Sequence, residues 1–85
     1  MSYKIIFTQA AVKDIDTLDV IVKKQLKKKF VYFSELNDIK TVAKKLHDYD
    51  KGEYRIRIGN YRIIFDLDRH RIIILRVQHR KDVYR

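Results

Sequence analysis

No cysteine and no proline occur in the 85 residues, and glycine occurs only at Gly52 and Gly59. Without cysteine there is no disulfide framework, no thiolate nucleophile and no cysteine-ligated metal, a usage compatible with a reducing cytosol. Without proline, and with so little glycine, no linker, low-complexity segment or internal repeat is visible, so residues 1–85 read as a single domain. A chain of this size buries roughly 60 % of its unfolded surface, enough for one modest core. A long hydrophobic run is also missing. The opening MSYKIIFTQAAV meets charge at Lys4 and Lys13, so neither a signal peptide nor a membrane span is expected, and the protein is read as cytoplasmic with no membrane partner.

Acidic residues are in short supply: 11 Asp and Glu stand against 20 Lys and Arg, a formal net charge of +9. That excess points to a polyanionic partner, nucleic acid first and an acidic protein second. A disordered basic tail is excluded by the 46 % hydrophobic content, with six tyrosines and four phenylalanines available for a core.

The first half of the chain changes from strand to helix within a few residues. YKIIF, residues 3–7, is short, β-branched and aromatic, and Thr8 after it is a good helix N-cap. From Ala11 onward, Val12, Ile15, Leu18, Val22, Leu26, Phe30 and Phe33 recur at steps of three or four, one face of a helix. DIDTLD interrupts the pattern, which predicts a second helix capped by Asp16 or Thr17 with Lys23, Lys24, Lys27 and Lys28 on its outer face. Those lysines, with Lys29, read either as a solvated helix face or as a surface for RNA phosphates. Ile39, Val42, Ala43 and Leu46 suggest a shorter third helix capped by Asn37 or Asp38.

The second half switches to period two. EYRIRI alternates strictly, Gly59-Asn60 is a two-residue hairpin turn, YRIIFDL resumes the strand, and RIIILRVQ (71–78) follows a polar turn at Asp68–His70 as a central strand covered on both faces. The expectation is an α+β fold: an N-terminal strand and two to three helices packed on a mostly antiparallel four-stranded sheet.

The candidate site lies on that sheet. With Gly59-Asn60 as the loop, Arg57 falls opposite Arg62 and Arg55 opposite Ile64, so Arg55, Arg57 and Arg62 share one face. Tyr54, Ile56, Ile58, Tyr61, Ile63 and Phe65 take the other. Like charges directly opposite cost a few tenths to ~1 kcal/mol, which a bound anion removes. The plainer reading is a solvated face whose arginines meet Glu53, Asp66 or Asp82. Arginine at all three positions, rather than lysine, favours a planar fork for phosphate oxygens.

His79, Arg80 and Tyr84 leave the last strand within plausible reach of this face. Cleavage of an RNA backbone needs a base for the 2′-hydroxyl proton, positive charge on the phosphorane and an acid for the 5′-oxygen, and all these chemical types are present. Neighbouring arginines favour the phenolate of Tyr84, while histidine titrates near neutrality without help. The plainer readings are a packed histidine at a strand end and an aromatic closing a small core. His47 and His70 lack ligand spacing, so no metal and no cofactor is expected.

The run G-x-Y-R-I-R-x-G-x-Y-R, followed by H-R-x-D-V-Y at the end, resembles the RelE/ParE superfamily of small toxins, RelE branch, and the order of elements is similar over essentially the whole chain. The resemblance implies the toxin of a type II toxin–antitoxin system: a metal-independent endoribonuclease that cuts messenger RNA in the ribosomal A site, with a cognate antitoxin, the ribosome and mRNA as partners. It implies that Arg57, Arg62 and Arg80 bind and stabilise the scissile phosphate and that Arg55 adds phosphate contact. Tyr84 would be the base or would orient the nucleophile, with His79 a rival for the acid or base role. The best-known RelE toxins have lysines where Arg55 and Arg57 stand. Two alternatives are a ParE-like toxin that binds DNA gyrase without cutting RNA, and an inactive RNA-binding homologue.

Overall fold

Thr8 starts the helical layer as expected. Its backbone is extended, and its hydroxyl accepts the Ala11 N–H at 3.2 Å while donating to the Leu75 carbonyl at 2.9 Å. The computed structural model describes residues 3–45 and 54–79. In chain order these form β1 (Lys4–Phe7), α1 (Gln9–Asp16), α2 (Val20–Ser34), a 3₁₀ turn (Ile39–Thr41), β2 (Lys44–Lys45), β3 (Tyr54–Ile58), β4 (Tyr61–Asp68) and β5 (Arg71–His79). The sheet order is β1-β5-β4-β3-β2, with β1 parallel to β5 and the other pairs antiparallel. This is the expected α+β architecture, the four anticipated strands gaining the two-residue β2 at one edge.

Two local expectations shift. The cap of α2 is Asp19, whose carboxylate accepts the Ile21 N–H at 3.0 Å, and not Asp16 or Thr17. Asp16 still belongs to α1, and the Thr17 hydroxyl donates back to the Asp14 carbonyl at 2.8 Å, which closes α1 and leaves that oxygen unused as a cap. The third helix shrinks to one 3₁₀ turn. Asp38 caps it by accepting the Lys40 N–H at 3.0 Å, and the chain then pairs as β2, so the sheet edge overrides the helical spacing.

Leu26, Phe30 and Phe33 of α2 are buried against Ile56, Ile63, Phe65, Ile72, Ile74 and Val77 of the sheet, with Ile39 from the 3₁₀ turn closing the core. On α1 the wholly buried residue is Ala11, while Val12 is exposed. The Thr8 hydroxyl bond to the Leu75 carbonyl fastens the start of α1 to β5, and Ala11 is buried beside it.

Along β5 the buried positions run Ile72, Ile74, Val77, a step of two and then of three. The register explains it: Ile64 pairs with Arg76 and Phe65 with Ile74, so Leu75 is an extra residue in a β-bulge. The bulge falls where β1 ends at Phe7, and from there α1 covers the edge of β5 that has lost its neighbouring strand.

Candidate functional site

Strict alternation on β3 and β4 separates two chemistries. Ile56 and Ile63 face the helices and are buried, which sends Arg55, Arg57 and Arg62 to the opposite face, helix-free among the described residues. The observed register puts Arg57 directly opposite Arg62 and Arg55 opposite Ile64, as the sequence predicts. On the next strand Gln78 pairs with Arg62 and Arg76 with Ile64. Arg57 is exposed and Arg55 and Arg62 are half-buried, so the face is part cleft and part open surface. A concavity of about 340 Å³ is lined by Val42, Arg55, Ile56 and Arg57, within the ~300–1,000 Å³ range of small-ligand clefts.

Arg62 carries the clearest sign of an incomplete site. Its Nε is buried and has no hydrogen-bond acceptor among the described residues. A buried donor left unpaired costs roughly 1–3 kcal/mol, and more where the group is charged. An anionic oxygen placed there removes that cost and the repulsion between Arg57 and Arg62 together.

His79 ends β5 paired with Tyr61, their rings 5.0 Å apart between centroids and nearly perpendicular at 89°. Both lie on the side of the sheet that holds Ile63 and Val77, so His79 and the three arginines occupy opposite faces. The residue beside Arg62 is Gln78, which the sequence reading did not single out. Arg80 and Tyr84 lie outside the described residues, as does His47.

Sequence reasoning also missed a long-range clamp. Arg76 donates from Nε and Nη2 to the Asp14 carboxylate at 2.8 and 3.0 Å, and the Val77 backbone N–H donates to the same carboxylate at 2.9 Å. The Arg76 side-chain bonds hold Asp14 below its ordinary pKa, burial opposes them, and the Val77 N–H adds to them; Asp14 in turn raises Arg76. The fourth arginine of this part of the sheet is thus tied to α1. The two partners are 62 residues apart, and no local spacing announces such a pair.

The sequence profile of the ParE toxin of type II toxin–antitoxin systems matches residues 5–84. Toxin RelE3 of Methanocaldococcus jannaschii is 37 % identical over 84 residues, covering 95 % of this chain and 94 % of the relative. Among solved structures, the RelB–RelE antitoxin–toxin complex from Methanococcus jannaschii superposes with a TM-score of 0.75 at 32 % identity, over 93 % of this chain and 94 % of that one. The isolated Escherichia coli RelE toxin gives 0.73 at 26 % identity, over 92 % and 84 %. The chain is therefore a member of the RelE/ParE superfamily, a RelE-like toxin of a type II toxin–antitoxin system.

Proposed function

We propose that this toxin is a ribosome-dependent endoribonuclease that cuts messenger RNA in the A site and so halts translation. The observation that carries the reading is the helix-free arginine face, above all Arg62 with its unpaired Nε set opposite Arg57. Two guanidinium groups in register match the non-bridging oxygens of a phosphodiester, and their charge grows in value as the phosphorane gains negative charge. Attack by the 2′-hydroxyl needs its proton removed and the 5′-oxygen protonated. Tyr84 is assigned the base or nucleophile-orienting role and Arg80 joins Arg62 at the phosphate, whereas His79, packed on Tyr61 across the sheet from the arginines, is given no part in the chemistry. Arg55 extends the phosphate contact towards β2. Guanidinium is a poor proton donor at neutral pH, so the arginines act as electrostatic groups.

The partner that silences the toxin is a cognate antitoxin. Relatives of this fold are known as RelB–RelE complexes, and an acidic segment laid over the arginine face would compete with RNA for the same charges.

Primer extension on a translated message tests the reading, with and without ribosomes, comparing wild type with Tyr84→Phe and Arg62→Ala. Cuts within codons that require ribosomes and vanish in both variants are expected. The ParE profile match favours a second reading, a toxin that binds DNA gyrase. No cuts under any condition, from a protein that still arrests growth and blocks gyrase supercoiling, would move the assignment there.

A further inference from the structure

The sheet has two hairpins with loops of the same length and the same sign pattern of backbone angles. In one, Gly59 and Asn60 join Ile58 to Tyr61, and Gly59 has φ +58°. In the other, Arg69 and His70 join Asp68 to Arg71, and Arg69 has φ +57°. Positive φ at the first loop position alone is the pattern of a type II′ turn, where glycine dominates because a Cβ is strained. The chain places glycine at 59 and arginine at the equivalent position 69. A costly residue at an exposed turn points to a use for its side chain.

Its neighbours indicate that use. Lys4 pairs with Arg71 across the β1–β5 ladder, and the Lys4 backbone N–H donates to the His70 carbonyl at 2.7 Å, so β1 is fastened to this turn. Lys4, Arg69 and Arg71 are all exposed; Asp68 pairs with Arg71, and Asp66 lies next along the same face of β4. Alternation from Ile72 puts Arg71 and Lys4 on the helix-free face, the face of Arg55, Arg57 and Arg62. Seven residues along β4 separate Arg62 from Arg69, about 23 Å at ~3.3 Å per residue.

We infer that Arg69, with Lys4 and Arg71, forms a second phosphate contact for the same nucleic-acid backbone, holding the RNA at the far end of the sheet from the arginine pair. The turn carries no apolar side chain to enter a membrane, and the guanidinium and ammonium groups of Arg69, Arg71 and Lys4 suit a phosphate; between them and Arg62 the same face of β4 carries Ile64, Asp66 and Asp68, so the two contacts are separate points on one backbone. The inference rests on the arginine face being an RNA-binding face, and it assigns Arg69 to binding and not to chemistry.

The test is fluorescence anisotropy with a labelled single-stranded RNA 20-mer, titrated between 50 and 300 mM salt, alongside thermal melting. Arg69→Gly is expected to raise the melting temperature by about 4 °C as the turn relaxes. The same change should weaken RNA binding about three- to ten-fold at low salt and reduce the salt slope by about 0.7. Arg69→Asn, uncharged and tolerant of positive φ, should bind like Arg69→Gly, and Lys4→Gln should add a similar loss. Unchanged affinity and slope in Arg69→Gly would overturn the inference, and so would a lower melting temperature. Arg62→Ala separates the two levels: if it weakens binding and Arg69→Gly does not, the arginine face stands and this extension falls. If neither weakens binding, both fall.

Discussion

Replacing Asp14 with alanine removes the acceptor for three hydrogen bonds that join α1 to β5, two from Arg76 and one from the Val77 N–H. The Arg76 side chain is 49 % exposed, so its share is discounted to about 0.5–1 kcal/mol, as for other solvent-screened pairs. The Val77 N–H is partly buried on the edge of β5 beyond the end of β1, and leaving it unpaired costs about 1–2 kcal/mol. Together these give about 2 kcal/mol, or a fall of roughly 10 °C in melting temperature for a domain of this size. Asp14→Asn keeps an acceptor for Val77 and should lose about half as much. The sign of the pH dependence follows from the bonds. Asp14 has a folded pKa below its ordinary 3.8, so its stabilisation is complete above that value and is lost as pH falls through the folded one. Thermal melts of wild type and Asp14→Ala should therefore differ by a constant amount from pH 5 to 8 and converge below about pH 4. A difference under ~0.5 kcal/mol at pH 7, or one that persists unchanged in acid, would refute the clamp as a source of stability.

Arg62→Met removes a buried, unpaired Nε and the charge opposite Arg57, so denaturant melts should show a gain of about 1 kcal/mol in stability while toxicity in a growth assay is lost. Gly59→Ala meets no atom within 4 Å of the added methyl, so its cost is conformational only, about 1 kcal/mol or a melting temperature lower by about 5 °C. Phe65→Ala empties one of the most deeply buried positions, stacked on Tyr54 with centroids 5.6 Å apart, and should cost about 3–5 kcal/mol in equilibrium unfolding.

The β3–β4 hairpin was the most legible part of the chain, because Gly59-Asn60 between two alternating runs fixes turn, register and facing at once, and the arginine pair follows directly. The α2 core stripe was equally legible, since Leu26, Phe30 and Phe33 repeat at helical spacing. What could not be read depended on partners far away in sequence. Val12 was expected in the core, but Thr8 bonds to Leu75 and brings Ala11 there instead. Asp14 looked like any acidic residue in an interrupted helix until β5 supplied Arg76 and Val77. The third helix failed for a related reason: Lys44 and Lys45 found a strand edge at Arg55 and Tyr54, and pairing outweighs propensity over so few residues.

The extra residue at Leu75 acts as a parity switch for everything after it. Before the bulge, even-numbered positions of β5 face the helices; after it, odd-numbered ones do. Were Leu75 to alternate regularly instead of bulging, Gln78 and His79 would exchange sides, and the histidine would lie on the face of the arginines. The bulge is thus how β5 absorbs an extra residue without turning over the side chains that follow it. Removing Leu75 would leave Val77 and His79 on the side they now hold, in an unbroken ladder with Ile63 and Tyr61.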